Sequence, residues 1–177
     1  EQAASVVVDV QAPHCDLGFA AGDELALHGV EVVEAVDLDL ILAVLAYREE
    51  AILAFFQAAM EQHNKKLKNP LRAFFAALKD LFESPGFRGC PFQNAAVELA
   101  DPSHPGTEFV RGHKQRFSEF LRGLIEQSIG KAAAKAAPAV TILVEGALVT
   151  TLIQGNVGAA DVARDASLKL VGNEKGV

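Results

Sequence analysis

The sequence has no tryptophan, one tyrosine, one methionine and two cysteines. Cys15 and Cys90 are too few for a disulfide framework, and they stand at neither metal-binding nor redox spacing. A reducing cytoplasm is the simplest compartment for such a chain. The start lacks a basic stretch followed by an apolar block, so no signal peptide is expected. The clearest deficit is positive charge at the front. Residues 1–47 hold nine Asp or Glu and neither Lys nor Arg. With 23 acidic and 16 basic residues in all, the remainder carries 14 acidic and 16 basic, so the net charge of −7 originates in the first quarter. Nucleic acid is held by cations that displace phosphate counterions, and this quarter supplies none. Paired metal-ligand spacings are also missing. His14, Cys15, Asp16 and His28 are ligand types without the short fixed intervals of a zinc site, and they read as part of an irregular acidic segment. No metal and no cofactor is expected, and no internal repeat is visible.

What is present is apolar and mostly helical in period. Half of the residues are hydrophobic, and eleven are Phe, enough for a sizeable core without staples. Val30-Glu31-Val32 and Val36 to Leu40 alternate apolar with acidic side chains, a strand period with no sheet to join. From Leu38 the pattern becomes helical. Leu38, Ile41, Leu42, Leu45, Ile52, Phe55, Phe56 and Met60 form one stripe. Asn69-Pro70 reads as a cap and first position of a second helix, with Leu71, Phe74, Phe75, Leu78 and Phe82 on its apolar face. Asn94 to Ala100 fits a short helix, and residues 101–106 a loop or a tight helical entry. Phe109 to Ile125 repeats at spacings of 3 and 4. Ser128 to Ala137, rich in Ala and Lys, reads as an exposed helix end and linker. Ala159 to Leu170 makes a last helix of small residues.

The expected fold is therefore all-α, a bundle of six helical segments. Its most apolar run, Ala136 to Ile153, is interrupted by Pro138, Glu145 and Gly146, and is closer to a buried helix than to a membrane span. It is apolar nearly all round, so more than one face needs cover. A second copy of the chain would supply it, with the last two helices of each copy forming a two-fold, four-helix interface. Leu143, Leu148, Leu152, Val162 and Ala166 are the residues expected there.

The stretch around which the helices turn is Gly86-Phe87-Arg88-Gly89-Cys90-Pro91-Phe92-Gln93-Asn94-Ala95-Ala96. Pro91 has no N–H and cannot lie in a helix interior. Cys90, Phe92 and Asn94 present a thiol, a ring and an amide to whatever the neighbouring helices enclose. Phe55, Phe56, Phe74, Phe75, Phe92, Phe117 and Phe120 are candidate cavity walls, with Asn94, His113 and Glu145 as the few polar groups that orient a ligand. The plainer reading is that any one of these Phe is core. Glu145, in the most apolar helix, needs solvent, the dimer axis, or a partner such as His113 or Arg122. A nucleophile–base pair of Cys90 and His113 lacks an orienting third group, so an enzyme is not expected.

The block Asp39 to Leu45, then Phe87 to Ala95, Asp101, His104-Pro105 and His113-Lys114 resemble the C-terminal, effector-binding domain of TetR/AcrR-family transcriptional regulators over residues 38–172. The resemblance implies a cytoplasmic, ligand-responsive homodimer. Its pocket would take a small, mostly apolar effector, involving Phe55, Cys90, Phe92, Asn94, His113, Phe117 and Glu145. It divides the chain into residues 1–37, at the place of a helix-turn-helix domain, and residues 38–177, the effector-binding and dimerisation domain. It also implies operator DNA as a partner, bound through the N-terminal domain. Residues 30–37 lack the aromatic pair and the lysine that the family carries there, and no DNA-contacting residue transfers. A regulator-derived, ligand-binding module without DNA affinity is the alternative.

Overall fold

The computed structural model describes residues 38–172. These form six α-helices and one 3-10 helix, and no strand is present among the described residues. The helices are α1 Leu38–Leu67, α2 Pro70–Glu83, α3 Pro91–Leu99, α4 Pro105–Ser128, α5 Ala137–Gln154 and α6 Ala159–Gly172, with the 3-10 helix over Lys131–Ala136 between α4 and α5. Of the alternating stretches, residues 30–32 and 36–37 lie outside the described residues, as do the ligand types at His14 to His28, while Leu38, Asp39 and Leu40 form the start of α1 rather than a strand.

Local chemistry sets the helix starts. Asn69 is extended and its Oδ1 accepts the Arg72 N–H at 2.9 Å, while Pro70 takes a first-turn position that needs no N–H. The same device opens α3 and α4. Cys90 is extended ahead of Pro91. His104 stands ahead of Pro105, and its Nδ1 accepts the Gly106 N–H at 3.0 Å. One expectation is corrected here. α3 begins at Pro91 rather than Asn94, because a proline excluded from a helix interior is welcome in its first turn. α4 begins at Pro105, inside the stretch read as a loop or a tight helical entry and ahead of the apolar repeat.

The stretch from Ser128 to Ala137 is also different from its exposed, linker-like reading. Ala133, Ala134 and Ala137 are buried, and Ser128 Oγ accepts the Leu71 N–H at 3.0 Å. Small side chains let this segment press against the bundle.

α2 lies at the centre and packs against α1, α4 and α6. Phe74 is fully buried, with Phe56 stacked on it at 5.3 Å between ring centroids and Phe75, Phe117 and Phe120 within 6.1 Å. Offset and edge contacts of this kind add about 0.5–1.5 kcal/mol per pair beyond the area they bury. The salt bridge from Lys79 Nζ to Asp161 Oδ2, 2.7 Å long, ties α2 to α6.

α5 has a buried side made by Val140, Val144, Ala147, Leu148 and Thr151. Its other side is open: Ile142 and Ile153 are 71% and 75% exposed, and Val162 on α6 is 69% exposed. The 24 residues Lys131–Gln154 are long and apolar enough to cross a membrane by length and composition, and a third of that apolar window is buried within the chain. Of the five residues expected at a dimer interface, Leu152 and Val162 are exposed and Leu143 and Ala166 half-buried. Leu148 departs from that expectation. It is 7% exposed and faces the chain's own interior.

Candidate functional site

Between α1, α3, α4 and α5 lies a cavity of about 1380 Å3. Phe55, Cys90, Phe92, Asn94, His113, Phe117 and Glu145 all line it, together with Phe56 and Phe120. Phe74 and Phe75 do not; they are core residues behind the wall. A smaller recess of about 540 Å3, near His63, Arg72 and Arg164, contains none of the predicted residues and is lined largely by polar side chains.

The Gly-Cys-Pro-Phe block forms one wall because Gly89 allows close approach. Its φ is +76°, and a Cβ there would lie 2.8 Å from Leu152 Cδ2 of α5. Cys90 is a free, buried thiol. The structure brings Cys90 against Lys114, whose Nζ stands 3.3 Å from Sγ, and among the described residues the one acceptor bonded to His113 Nδ1 is Glu49. Asn94 Nδ2 donates to the Arg88 carbonyl at 3.1 Å, so part of its amide holds the turn together.

Two charge clusters stand in the cavity wall. In the first, Lys114 Nζ donates to both oxygens of Glu145 at 2.8 Å, and Gln93 Nε2 donates to the same carboxylate at 2.5 Å. The partner of Glu145 is thus Lys114 rather than the His113 or Arg122 expected, and the pair lies within one chain. Burial makes a lone carboxylate costly, and this arrangement satisfies it. In the second cluster, Glu49 Oε1 accepts from His113 Nδ1 at 2.9 Å and from Arg116 Nη2 at 2.7 Å, joining α1 to α4.

Burial alone would raise the Glu49 carboxyl, but hydrogen bonds from Arg116 and His113 and the positive charge of Arg116 outweigh it and leave it below its ordinary value. For His113 burial dominates and lowers its proton affinity, and the Glu49 carboxylate only partly restores it. The His113 ring is stacked on Phe92, centroids 3.5 Å apart and planes at 18°. Among the described residues no group of three or more His, Cys, Asp or Glu is placed to hold a metal ion.

Glu49, Gln93, Lys114 and Arg116 were not singled out as site residues from the sequence. Glu49 interrupts the apolar stripe of α1, and Lys114 follows His113 in the family-like motif. Both signals are local, whereas the pairings join residues 31 to 67 positions apart.

The described residues form an all-helical bundle folded around a large, mostly apolar cavity. Residues 68–167 match the family model described as Tetracyclin repressor-like, C-terminal domain, and the chain belongs to that family of transcription regulators, not enzymes. The crystal structure of SCO4454, a TetR-family transcriptional regulator from Streptomyces coelicolor, is similar at 29% identity and a TM-score of 0.56, over 77% of this chain and 69% of that one. No curated protein matches the chain.

Proposed function

We propose that the chain is a ligand-responsive transcriptional regulator whose cavity takes a small, mostly apolar effector. Residues 38–177 form the effector-binding and dimerisation domain, and residues 1–37 stand where the DNA-reading domain belongs. The observation that carries this reading is the shared wall of the cavity. Phe55 and Phe56 of α1 line it, and Glu49 of α1 is clasped by His113 and Arg116 of α4. An occupant that favours one arrangement of this clasp shifts the population of α1 positions. α1 leads directly to the N-terminal segment, so its position sets the spacing of two DNA-reading heads in a dimer. The open apolar faces of α5 and α6 are the surface that a second copy covers, and the protein is cytoplasmic.

The second reading, a ligand-binding module without DNA affinity, is favoured by the nine acidic and no basic residues in positions 1–47. Selection of random duplex DNA by the full chain separates the two. Enrichment of a two-fold symmetric site, with release by a compound that raises the melting temperature of the protein, supports the regulator. Compounds that stabilise the protein without any DNA enrichment support the module. Neither stabilisation by any apolar compound nor DNA enrichment removes both. A bulky Val144→Trp substitution is expected to abolish stabilisation, since Val144 lines the cavity.

A further inference from the structure

We infer that the cavity takes an uncharged molecule, apolar over most of its surface, which donates a hydroxyl or N–H hydrogen to Nε2 of His113. The inference rests on the effector-site reading above and adds the chemistry of the ligand.

Charge balance supports the first half. Lys114 directs Nζ at both oxygens of Glu145 and at Cys90 Sγ, and Glu145 takes a further hydrogen bond from Gln93. Glu49 is matched by Arg116 and His113. The remaining charged residues of the lining, Arg48, Arg88, Glu61 and Glu98, are exposed and number two of each sign. A charged ligand would lose its hydration without meeting an unmatched counter-charge.

The second half follows from the hydrogen bonding of His113, which is 9% exposed. The Glu49 oxygen at 2.9 Å is an ionised acceptor, so Nδ1 must carry the hydrogen of that bond. Burial keeps the ring neutral. In a neutral imidazole with hydrogen on Nδ1, Nε2 is a lone-pair acceptor. It has no hydrogen-bond partner among the described residues. It is also not sealed away, since Ser167 Oγ is the one side-chain polar atom among them that is both sealed and unpartnered. Phe92, parallel to the ring at 3.5 Å, holds its plane. The aromatic wall of Phe55, Phe117 and Phe120 suits a flat apolar body beside this acceptor.

Three probes of one shape test the inference by calorimetry on the full chain: 2-naphthol, its methyl ether 2-methoxynaphthalene, and 2-naphthoate. At neutral pH naphthol is expected to bind about tenfold more tightly than the ether, as one hydrogen bond allows, and more tightly than naphthoate. In His113→Phe the naphthol and ether affinities converge while the ether still binds. Should that variant not fold, the wild-type ratio decides alone. Equal affinity of naphthol and ether in the wild type overturns the donor assignment and leaves the cavity reading standing. Naphthoate binding most tightly overturns the uncharged ligand. No binding of any probe overturns the inference and the cavity reading together.

Discussion

Ser167 is wholly buried on α6, and its hydroxyl has no hydrogen-bond partner among the described residues. A sealed, unmet hydroxyl costs more than the small void left by its removal. Ser167→Ala is therefore expected to stabilise the protein by about 1 kcal/mol, seen as a higher urea midpoint at unchanged slope. A lower midpoint would contradict it. His113 gives a pH dependence. Its proton affinity is lowered on folding, so below about pH 6.5 the unfolded chain takes up a proton that the folded chain refuses. The associated stability is fully present above that pH and is lost as pH falls toward the folded value. The groups that face the ring are Glu49 from α1, Lys114 and Arg116 from α4, and the uncharged Phe92 from α3. Urea midpoints measured from pH 7.5 down to 5 should fall in the wild type and flatten in His113→Gln. Equal slopes in both would remove His113 as the source. At this scale the sequence told which side chains gather at the cavity, because Phe55, Phe117 and their neighbours are the large residues of helical stripes. It did not tell who pairs with whom. Lys114–Glu145 and Glu49–Arg116 depend on how α1, α4 and α5 are set against one another, which no local spacing records.

Helices were legible where their signals are local. Asn69-Pro70 marks the start of α2, and the Phe74 stripe marks its buried face, because cap and period both lie within a few residues. α3 and α4 start earlier than their apolar repeats, since Cys90-Pro91 and His104-Pro105 are entry signals carrying no hydrophobic periodicity. The 3-10 helix was missed for a different reason. Alanine is compatible with surface and interior alike, and only the packing of α4 and α6 against this segment decides that Ala133 and Ala134 are covered. The joint between α3 and α5 is more restrictive. Gly89→Ala would place a Cβ at φ +76° and 2.8 Å from Leu152 Cδ2. The expected loss is about 1–2 kcal/mol from the left-handed backbone alone, read as a lower melting temperature. A neutral effect would mean that the Gly89 turn and Leu152 can shift without cost.

For the molecule as a whole, the open side of α5 is the feature that asks for a partner. A row containing Ile142, Val149 and Ile153 is more than a monomer leaves to water without reason. Ile142→Glu, on the exposed side and away from the cavity lining, is expected to halve the mass measured by light scattering with helical content retained. An unchanged dimer mass would place the interface elsewhere, and a wild-type monomer would remove it. The other large-scale feature is α1. Thirty residues at 1.5 Å each make a rod about 45 Å long. Its Leu67 end is followed by the short turn into α2, and Glu49 is gripped part of the way along, about 27 Å from that end. If the rod swings about Leu67, its opposite end at Leu38 travels about 1.6 times as far as Glu49 does. The helix is then a mechanical amplifier, with the turn at residues 68–69 as fulcrum and the His113 grip as the point of input. A tilt of about 5° carries Leu38 through about 4 Å, roughly the step between neighbouring Cα atoms.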